Sequence, residues 1–341
     1  MRKYLLPKEG QFYKANLHCH TTVSDGKFTP EQVKEAYKAH GYSIVAYTDH
    51  DVMIPHDELN DAEFLALHGY EMEATDTTVA QFKHRKTCHM CLIALDPDNM
   101  KQVCWHREKY LIGNGAAYRD QVQFDPNMPD FERSHTPECV NIMMNAGREN
   151  GFFVTYNHPV WSLENRSDYE HYEGMHAMEI CNYGCYRLFS EYNATIYDDM
   201  LRMGKRIYCI GSDDNHNPVP VDHPKSDSFG AFTVIKAEKL EYKAVTDALV
   251  AGNFYASMGP EIKELYLEGN QLHVRTSACE KIIMTTGTRK TRYEVREKGK
   301  TLNKATFTVD MDDNYVRITV VDKHGKYADT HAYFIDELFA E

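Results

Sequence analysis

The 341-residue chain has no run of about 18 apolar residues, and no long apolar segment follows its first residues. We therefore expect neither a membrane-spanning helix nor a secretory signal. Basic residues are outnumbered, with 38 Lys and Arg against 51 Asp and Glu, and the formal net charge is -13. Because nucleic-acid phosphates are bound by basic surfaces, long nucleic acid is not an expected partner.

Cysteines are scattered and odd in number, nine in all. This usage is typical of reduced thiols, so we expect no disulfide framework and predict a cytoplasmic location. Cys88 and Cys91 form one Cys-x-x-Cys pair with no second pair elsewhere. We interpret them as small core residues rather than as a zinc or redox site. The sequence contains no Ser–His–Asp or Cys–His pattern, so it gives no indication of a side-chain nucleophile.

The chain does contain an alternation of apolar, β-rich runs and helical patterns. One helix is predicted to begin after Thr29 at the N-cap, with Pro30 in its first turn and Gln32 at the third position, and to end near His40. The other predicted elements of this region are a helix over 136–150 and strands over 43–47, 152–156 and 207–210. Such alternation is typical of an α/β fold with mostly parallel strands.

The pattern changes at Gly259 and Pro260. Beyond them, short strands separated by turns are predicted over 262–267, 272–276, 282–286, 305–309 and 315–321. We therefore expect a large domain over 1–258 and a small, all-β, sandwich-like accessory domain over 259–341. Residues 96–135 lack a clear period and are expected to cross the active-site face.

Eighteen histidines are a high number, and several of them stand beside carboxylates. His18 and His20 are two residues apart, so on a strand both imidazoles would face one side. Glu71 and Glu73 would share a face in the same way, and two buried carboxylates need cations or solvent. Each of these pairs has an ordinary structural explanation when it is taken alone, such as a helix cap or a solvated surface.

The polar clusters form a series along the chain, at 16–20, 48–51, 69–73, 88–91, 156–159 and 211–216. Four of them stand at the ends of predicted strands, which is where α/β barrels place their chemistry. All of them supply nitrogen or oxygen ligands. Imidazoles together with carboxylates suit Zn²⁺, Mn²⁺ or Fe²⁺ better than Ca²⁺, which prefers oxygen alone.

In order and approximate spacing these clusters resemble the motifs of the PHP family, named for polymerase and histidinol phosphatase. The resemblance covers residues 13 to about 258 and rests on Leu-His-Cys-His-Thr at 17–21, Asp-Gly at 25–26, Thr-Asp-His-Asp at 48–51, Gly-Tyr-Glu at 69–71, His89, Asn-His-Pro at 157–159 and Gly-Ser-Asp-Asp-Asn-His at 211–216. It implies a distorted, TIM-like (β/α)7 barrel with metals at the carboxyl ends of its strands.

The resemblance also implies two or three divalent cations, Zn, Mn or Fe, and a set of nine ligands. His18 and His20 would share a first cation with Glu71 and Asp214; Glu71 would bridge to a second cation held by His89 and His158; and Asp25, His50 and His216 would hold a third. Asp214 is chosen over Asp213 by its spacing to His216, and Glu71 is chosen over Glu73 because it follows Gly-x.

The activity that the resemblance implies is hydrolysis of a phosphate ester by a hydroxide bound to the cations. A small-molecule phosphomonoester is the leading substrate class, with histidinol phosphate, a nucleotide or a sugar phosphate as candidates. Phosphodiester or nuclease-type hydrolysis, amidohydrolase-type C–N hydrolysis, a noncatalytic metal-binding role and a homo-oligomer are left open. Arg119 and Arg133 are candidate phosphate contacts, because a guanidinium binds two oxygens, and Trp161 is a candidate wall of the pocket.

Overall fold

The computed structural model of the chain describes residues 2–340. Its seven α-helices within that range are α1 (Pro30–Ala39), α2 (Pro137–Glu149), α3 (Arg166–Tyr169), α4 (Tyr183–Phe189), α5 (Ala194–Arg202), α6 (Tyr242–Val250) and α7 (Ile335–Leu338). The strands of the same range are β1 (Arg2–Tyr4), β2 (Gln11–Asn16), β3 (Ile44–Tyr47), β4 (Leu65–Thr75), β5 (Thr87–Ala94), β6 (Lys101–Gln102), β7 (Gln123–Phe124), β8 (Phe152–Asn157), β9 (Ala177–Asn182), β10 (Tyr208–Ser212), β11 (Phe232–Ala237), β12 (Phe254–Ser257), β13 (Ile262–Glu268), β14 (Gln271–Cys279), β15 (Lys281–Thr286), β16 (Arg292–Val295), β17 (Leu302–Thr308), β18 (Tyr315–Val321), β19 (Tyr327–Thr330) and β20 (Tyr333–Phe334).

The helix predicted from Thr29 is confirmed as α1. The Gln32 amide donates to Thr29 Oγ1 at 3.3 Å, and the Thr29 amide donates to Gln32 Oε1 at 2.9 Å. Both halves of the capping box are therefore formed, which satisfies two amides that the helix itself leaves free. The other helix and the three strands predicted before residue 258 are confirmed to within two residues at each end.

One large mixed sheet organises the chain. Its strand order is β10-β9-β8-β5-β4-β3-β2-β11-β12-β19-β18-β15-β16, with β20 paired to β18. Strands β2, β3 and β4 are parallel to one another, as are β8, β9 and β10, but β5 between the two groups is antiparallel to both of its neighbours. Because β5 follows β4 through a hairpin instead of a crossover helix, the predicted strand–helix alternation is interrupted there.

Strand β10, at one end of the sheet, curves back to β11. Thr233 Oγ1 on β11 accepts a hydrogen bond from the Gly211 amide at 3.2 Å and donates one to the Gly211 carbonyl at 2.9 Å. Glycine permits this approach, since a Cβ on Gly211 would lie 2.8 Å from the Phe232 carbonyl oxygen. The predicted α/β class is thus confirmed as a large mixed sheet. The closed (β/α)7 barrel stays a prediction, because no strand ladder joins β10 to β2 or β11 in residues 2–340.

The β-rich character predicted for the C-terminal part is confirmed by a second, antiparallel sheet of order β1-β13-β14-β17. This sheet packs against the part of the large sheet that contains β15 and β18. The two sheets share an apolar core that includes Leu265, Val274, Phe307, Ile282 and Ile318. Strand β1 from the N-terminus pairs with β13, and the large sheet continues from β12 directly to β19. The division into two domains at 258/259 stays a prediction.

Residues 96–135, whose sequence shows no clear helix or strand period, contain β6, β7 and short turns. Trp105 from this stretch shares a small buried apolar core with Val23, which precedes Asp25 by two residues. Gly113 has a φ of +56°, and a Cβ there would lie 2.2 Å from the Ser24 carbonyl oxygen. The stretch therefore packs tightly against the turn that carries Asp25, so it supports the candidate site from outside.

No helix in residues 2–340 is long and apolar enough to cross a bilayer. The nine cysteines are free thiols, and eight of them are buried. Cys88 belongs to the largest apolar core. Cys91 faces the interior on the same strand, where Asn157 Nδ2 lies 3.1 Å from its sulfur. Cys88 thus has the environment expected for a core residue, whereas the buried Cys91 thiol lies beside His18 and Glu71.

His331 is a buried histidine with an expected effect on acid stability. It packs on the rings of Tyr208 and Tyr333, and burial lowers its pKa to about 3. In the unfolded chain the pKa is about 6.5, so below that pH the unfolded state takes up a proton that the folded state excludes. Relative to a His331→Phe variant, the free energy of unfolding of the wild type should fall as the pH drops below about 6.5, with a slope that approaches about 1.4 kcal/mol per pH unit near pH 5. Urea unfolding of both proteins measures this, and a difference that is independent of pH would contradict the prediction.

Candidate metal centre

The residues proposed as ligands from the sequence come together at one end of the large sheet. His18 and His20 follow β2, His50 follows β3, His158 follows β8, and Asp214 and His216 follow β10. Glu71 is on β4 and His89 on β5. Because β5 runs against its neighbours, the beginning of β5 meets the ends of β4 and β8, where His89 pairs with Glu73 and Asn157. The reversal of β5 therefore delivers a ligand to the same end as the parallel strands.

Glu71 lies at the centre of the cluster and is buried. Its Oε1 lies 3.2, 3.1 and 3.5 Å from imidazole nitrogens of His18, His89 and His158. Its Oε2 lies 3.4 and 3.3 Å from imidazole nitrogens of His20 and His50. Each carboxylate oxygen thus faces a different set of imidazoles, so Glu71 could offer one oxygen to each of two cations.

The carboxylate of Asp214, which follows β10, faces several of the same imidazoles. Its Oδ1 lies 3.3 Å from His18 Nε2 and 3.1 Å from His20 Nε2, and those two nitrogens are 3.1 Å apart. Asp213, next to it, is turned away: its oxygens accept hydrogen bonds from the amides of residues 229–231 and from the Tyr37 hydroxyl. Asp213 thus holds the loop behind the cluster while Asp214 faces into it.

Asp25 is the centre of a third group at the solvent side. Its Oδ1 lies 3.9 Å from nitrogens of His20 and His50 and 3.5 Å from His216 Nε2. The four side chains each offer a ligand atom, and these atoms lie within 4.8 Å of one another. The turn that carries Asp25 is fixed by Asp49, whose Oδ1 accepts hydrogen bonds from the Ser24 amide and hydroxyl at 3.0 and 2.7 Å.

Several atoms of the cluster are buried but lack a hydrogen-bond partner. They are His20 Nδ1, His50 Nδ1, His89 Nε2 and Asp214 Oδ1. An unsatisfied buried polar atom costs about 1–3 kcal/mol, and four at one place need an explanation. Divalent cations would supply the missing partners, and six imidazoles with three carboxylates suit Zn²⁺, Mn²⁺ or Fe²⁺. The residues present therefore fit divalent cations.

The electrostatics of the cluster keep its carboxylates ionised. Burial opposes ionisation of Glu71 and Asp214, but the imidazoles around them, His18 foremost, hold both pKa values well below the usual range. Burial alone would lower the pKa values of His20 and His89, but the neighbouring carboxylates raise both to about 10. The site is thus strongly attractive to positive charge, whether protons or cations occupy it.

Backbone strain accompanies the cluster. His158 has a φ of +26° and Asp214 a φ of +52°, values that residues other than glycine adopt rarely. The surroundings hold these conformations: the His158 amide donates to Glu179 Oε2 at 2.9 Å, and Asp214 Oδ2 accepts from Asn182 Nδ2 at 3.0 Å. Strain of this kind clusters at functional sites, where it fixes side chains that the chemistry needs.

Sequence reasoning missed Glu179 on β9, which is fully buried. Its Oε1 lies 2.8 Å from His18 Nδ1 and accepts a hydrogen bond from the Ser212 hydroxyl at 2.5 Å. A carboxylate on the far nitrogen of a ligating histidine fixes the orientation of the ring and raises its basicity. One signal was present in the sequence, a single carboxylate within the apolar run Ala177–Asn182.

We expect a Glu179→Gln variant to bind metal about 10- to 100-fold more weakly, because the far nitrogen of His18 loses its anionic partner. Competition against a chelating dye measures the affinity. Glu164→Gln is a matched control, since Glu164 is equally buried but bonds Tyr156 and Tyr172 outside the cluster. Equal affinity losses in both variants would assign Glu179 a merely structural role.

The cluster opens into a cavity of about 360 Å³. Five carboxylates line it, those of Asp25, Glu71, Glu73, Asp214 and Asp227. Against them the lining contains one guanidinium among residues 2–340, that of Arg187 on α4. Its Nη1 donates to the Lys225 carbonyl at 2.5 Å, and its buried Nε has no partner. The cavity is therefore acidic, with one fixed cationic side chain at its wall.

The structure brings Trp161 to the cavity wall but neither Arg119 nor Arg133. Arg119 is exposed in a short turn. Arg133 is buried behind the cluster, where its guanidinium pairs with Asp51 Oδ1 at 2.5 Å and donates to the Cys104 carbonyl at 3.2 Å. Neither arginine lines the cavity, whereas Arg187 does; a phosphate contact by Arg119 or Arg133 stays a prediction.

Comparison with known proteins gives structural neighbours only. No family model matches the chain, and no curated protein matches it. Among solved structures, a two-domain protein from Bacteroides vulgatus containing a predicted PHP-like metal-dependent phosphoesterase is 14% identical, with 94% of each chain covered and a TM-score of 0.47. A protein from Bifidobacterium adolescentis regarded as a metal-dependent phosphoesterase is 20% identical over 65% of this chain and 94% of its own, with a TM-score of 0.38. An amidohydrolase from Chromobacterium violaceum, with bound sulfate and no metal, is 17% identical over 59% and 87%, with a TM-score of 0.36. The solved structures similar to this chain thus include PHP-like metal-dependent phosphoesterases, whose family motifs the sequence resembles.

Proposed function

We propose that the chain hydrolyses phosphomonoesters of small molecules at a centre of two or three divalent cations. The observation that carries the proposal is the position of Glu71, whose two oxygens face two different sets of imidazoles. In this proposal the nine ligands are divided among the cations as the family resemblance implies: His18, His20, Glu71 and Asp214 would hold the first, Glu71 would be shared with the second together with His89 and His158, and Asp25, His50 and His216 would hold the third.

The charge of the cavity explains why cations are needed to bind such a substrate. Five carboxylates, four imidazoles and one arginine line it, so the carboxylates oppose the binding of a phosphate dianion unless cations neutralise them. Divalent cations reverse the sign of the site, lower the pKa of bound water and neutralise charge on the phosphoryl oxygens. Arg187 is placed to bind a phosphoryl oxygen, because its side chain lines the cavity.

The size of the cavity favours a small substrate. A volume of about 360 Å³ is at the lower end of the range for small-molecule sites, roughly 300–1,000 Å³. The net charge of -13 opposes the approach of long nucleic acid. These two properties support a phosphomonoesterase over a nuclease.

The test compares three chromogenic substrates on protein reconstituted with Mn²⁺, Zn²⁺ or Fe²⁺. p-Nitrophenyl phosphate reports monoester hydrolysis, bis-p-nitrophenyl phosphate reports diester hydrolysis, and p-nitroacetanilide reports C–N hydrolysis. We expect turnover of the monoester that a chelator abolishes and that metal restores. Preference for the diester or for the anilide would replace the proposed reaction with one of the alternatives, and inactivity on all three with the cations bound would favour a noncatalytic role.

A further inference from the structure

Large apolar side chains are exposed at the mouth of the metal cavity. Phe82, Leu188 and Trp161 line the cavity and are 78%, 64% and 40% exposed. They come from three separate parts of the chain: Phe82 from the β4–β5 hairpin loop, Trp161 from the loop after β8, and Leu188 from α4. Ile112, partly buried, adds to the same lining. We call these four residues the apolar rim. Exposed apolar side chains grouped at a cleft mark a binding surface, whereas isolated ones need no explanation.

Trp161 is held rigidly in this position. Its ring makes edge contacts with His89 and His158, with centroids 5.3 and 5.1 Å away. Its amide and the Val160 amide donate to the two oxygens of Glu191, both at 3.1 Å. The exposed part of the indole is therefore a fixed apolar surface directly beside the cation ligands, and it requires no ordering when a ligand binds.

The polar groups of the cavity lie mainly in and around the ligand cluster. Carboxylates and imidazoles of the lining belong to the ligand cluster or adjoin it, as Glu73 does through its contact of 3.2 Å with His89. A substrate bound by its phosphate at the cations would thus extend its organic group across the apolar rim. That group would gain by burying apolar surface there, and an aromatic ring would also gain from contacts with Trp161 and Phe82.

We propose that the apolar rim selects phosphate esters whose organic group is apolar and aromatic, and disfavours esters of small polyols and sugars. The inference rests on the proposed function for the position of the phosphate. It assigns Phe82, Leu188 and Trp161 to specificity rather than to catalysis.

Two phosphonates that cannot be hydrolysed test the proposal by binding. 2-Phenylethylphosphonate and 2-hydroxyethylphosphonate differ only in the group that would lie on the rim. Calorimetric titration of the metal-loaded protein should give a Kd about 10-fold or more lower for the phenyl compound, the scale of discrimination that an apolar pocket provides. The two corresponding phosphate esters, both of primary alcohols, are assayed for turnover in parallel.

The variant Phe82→Ala/Leu188→Ala removes the two most exposed residues of the apolar rim. It should lose most of the preference for the phenyl compound, because the Kd for that compound rises toward the Kd for the hydroxyethyl compound. Met128→Ala/Met311→Ala is the matched control, since these side chains are 61% and 68% exposed but do not line this cavity, and it should keep the preference.

Equal Kd values for the two phosphonates in the wild type, or a preference that survives in the rim variant, would overturn the inference. Tighter binding of the phenyl compound without turnover of either ester would contradict the proposed function alone. A concentration-dependent dimer that dissociates in the rim variant, with unchanged phosphonate affinities, would identify the rim as an interface between two copies and would also overturn the inference.

Discussion

A Glu71→Gln variant is expected to lose at least one equivalent of metal and to hydrolyse p-nitrophenyl phosphate at least about 1000-fold more slowly, a loss of roughly 4 kcal/mol of transition-state stabilisation. Each of the two Glu71 oxygens lies within 3.5 Å of at least two imidazoles, whereas Asp214 Oδ2 faces one, that of His158 at 3.8 Å. An amide has the same shape but carries no charge, and its nitrogen cannot ligate a cation. The variant therefore separates the bridging charge from the packing of the side chain.

The control for this variant is two residues away on the same strand face. Glu73 contacts one proposed ligand, His89, with 3.2 Å between its Oε2 and His89 Nε2. Glu73→Gln should leave the metal content intact and reduce turnover far less than Glu71→Gln does. Metal content is measured by mass spectrometry and turnover on the same samples. Equal losses in the two variants, or full metal and activity in Glu71→Gln, would show that Glu71 does not bridge cations.

An Arg317→Met variant is expected to lose about 3–5 kcal/mol of unfolding free energy, the usual cost of removing one partner from a buried ion pair. Arg317 on β18 is buried and joins two regions of the chain. Its Nη2 lies 2.7 Å from Asp198 Oδ2 on α5, and its Nη1 lies 3.0 Å from Asp329 Oδ1 on β19. Without the guanidinium, both carboxylates would remain largely buried without a counter-charge.

Arg206→Met is the matched control for that experiment. Arg206 also pairs with two carboxylates, those of Asp336 and Glu337, but its side chain is 46% exposed. Exposed ion pairs contribute about 0–1 kcal/mol, so this variant should unfold at nearly the urea concentration of the wild type. Similar decreases in the urea concentration of unfolding in the two variants would mean that the buried ion pairs of Arg317 do not hold α5 to the C-terminal strands.

The local elements could be predicted from sequence because short-range chemistry determines them. The capping box of Thr29 and Gln32 formed as predicted, since both partners lie within one turn. The ligand clusters were recognisable because buried strands that end in imidazoles and carboxylates have few other uses. His-x-His and Asp-x-His spacing indicated which side chains would face the same way, and the structure brings all nine residues to one end of the sheet.

Contacts between distant segments could not be predicted in the same way. The reversal of β5 depends on the hairpin after β4 and on pairing with β8, and the sequence of β5 alone is apolar in either direction. Arg133 was expected at the substrate because it is an arginine in an unassigned stretch, but its long side chain pairs with Asp51 behind the cluster. Arg187 was overlooked, since only the fold places α4 beside the ligands.

The central claim, that nine residues hold two or three divalent cations, is tested most directly by counting metal in the wild type and in a His18→Ala/His20→Ala variant. Mass spectrometry on protein reconstituted with Mn²⁺, Zn²⁺ or Fe²⁺ and then freed of excess metal gives the number per chain. We predict two to three equivalents in the wild type and at least one fewer in the variant. Less than one equivalent in the wild type after reconstitution, or the same content in both proteins, would contradict the claim.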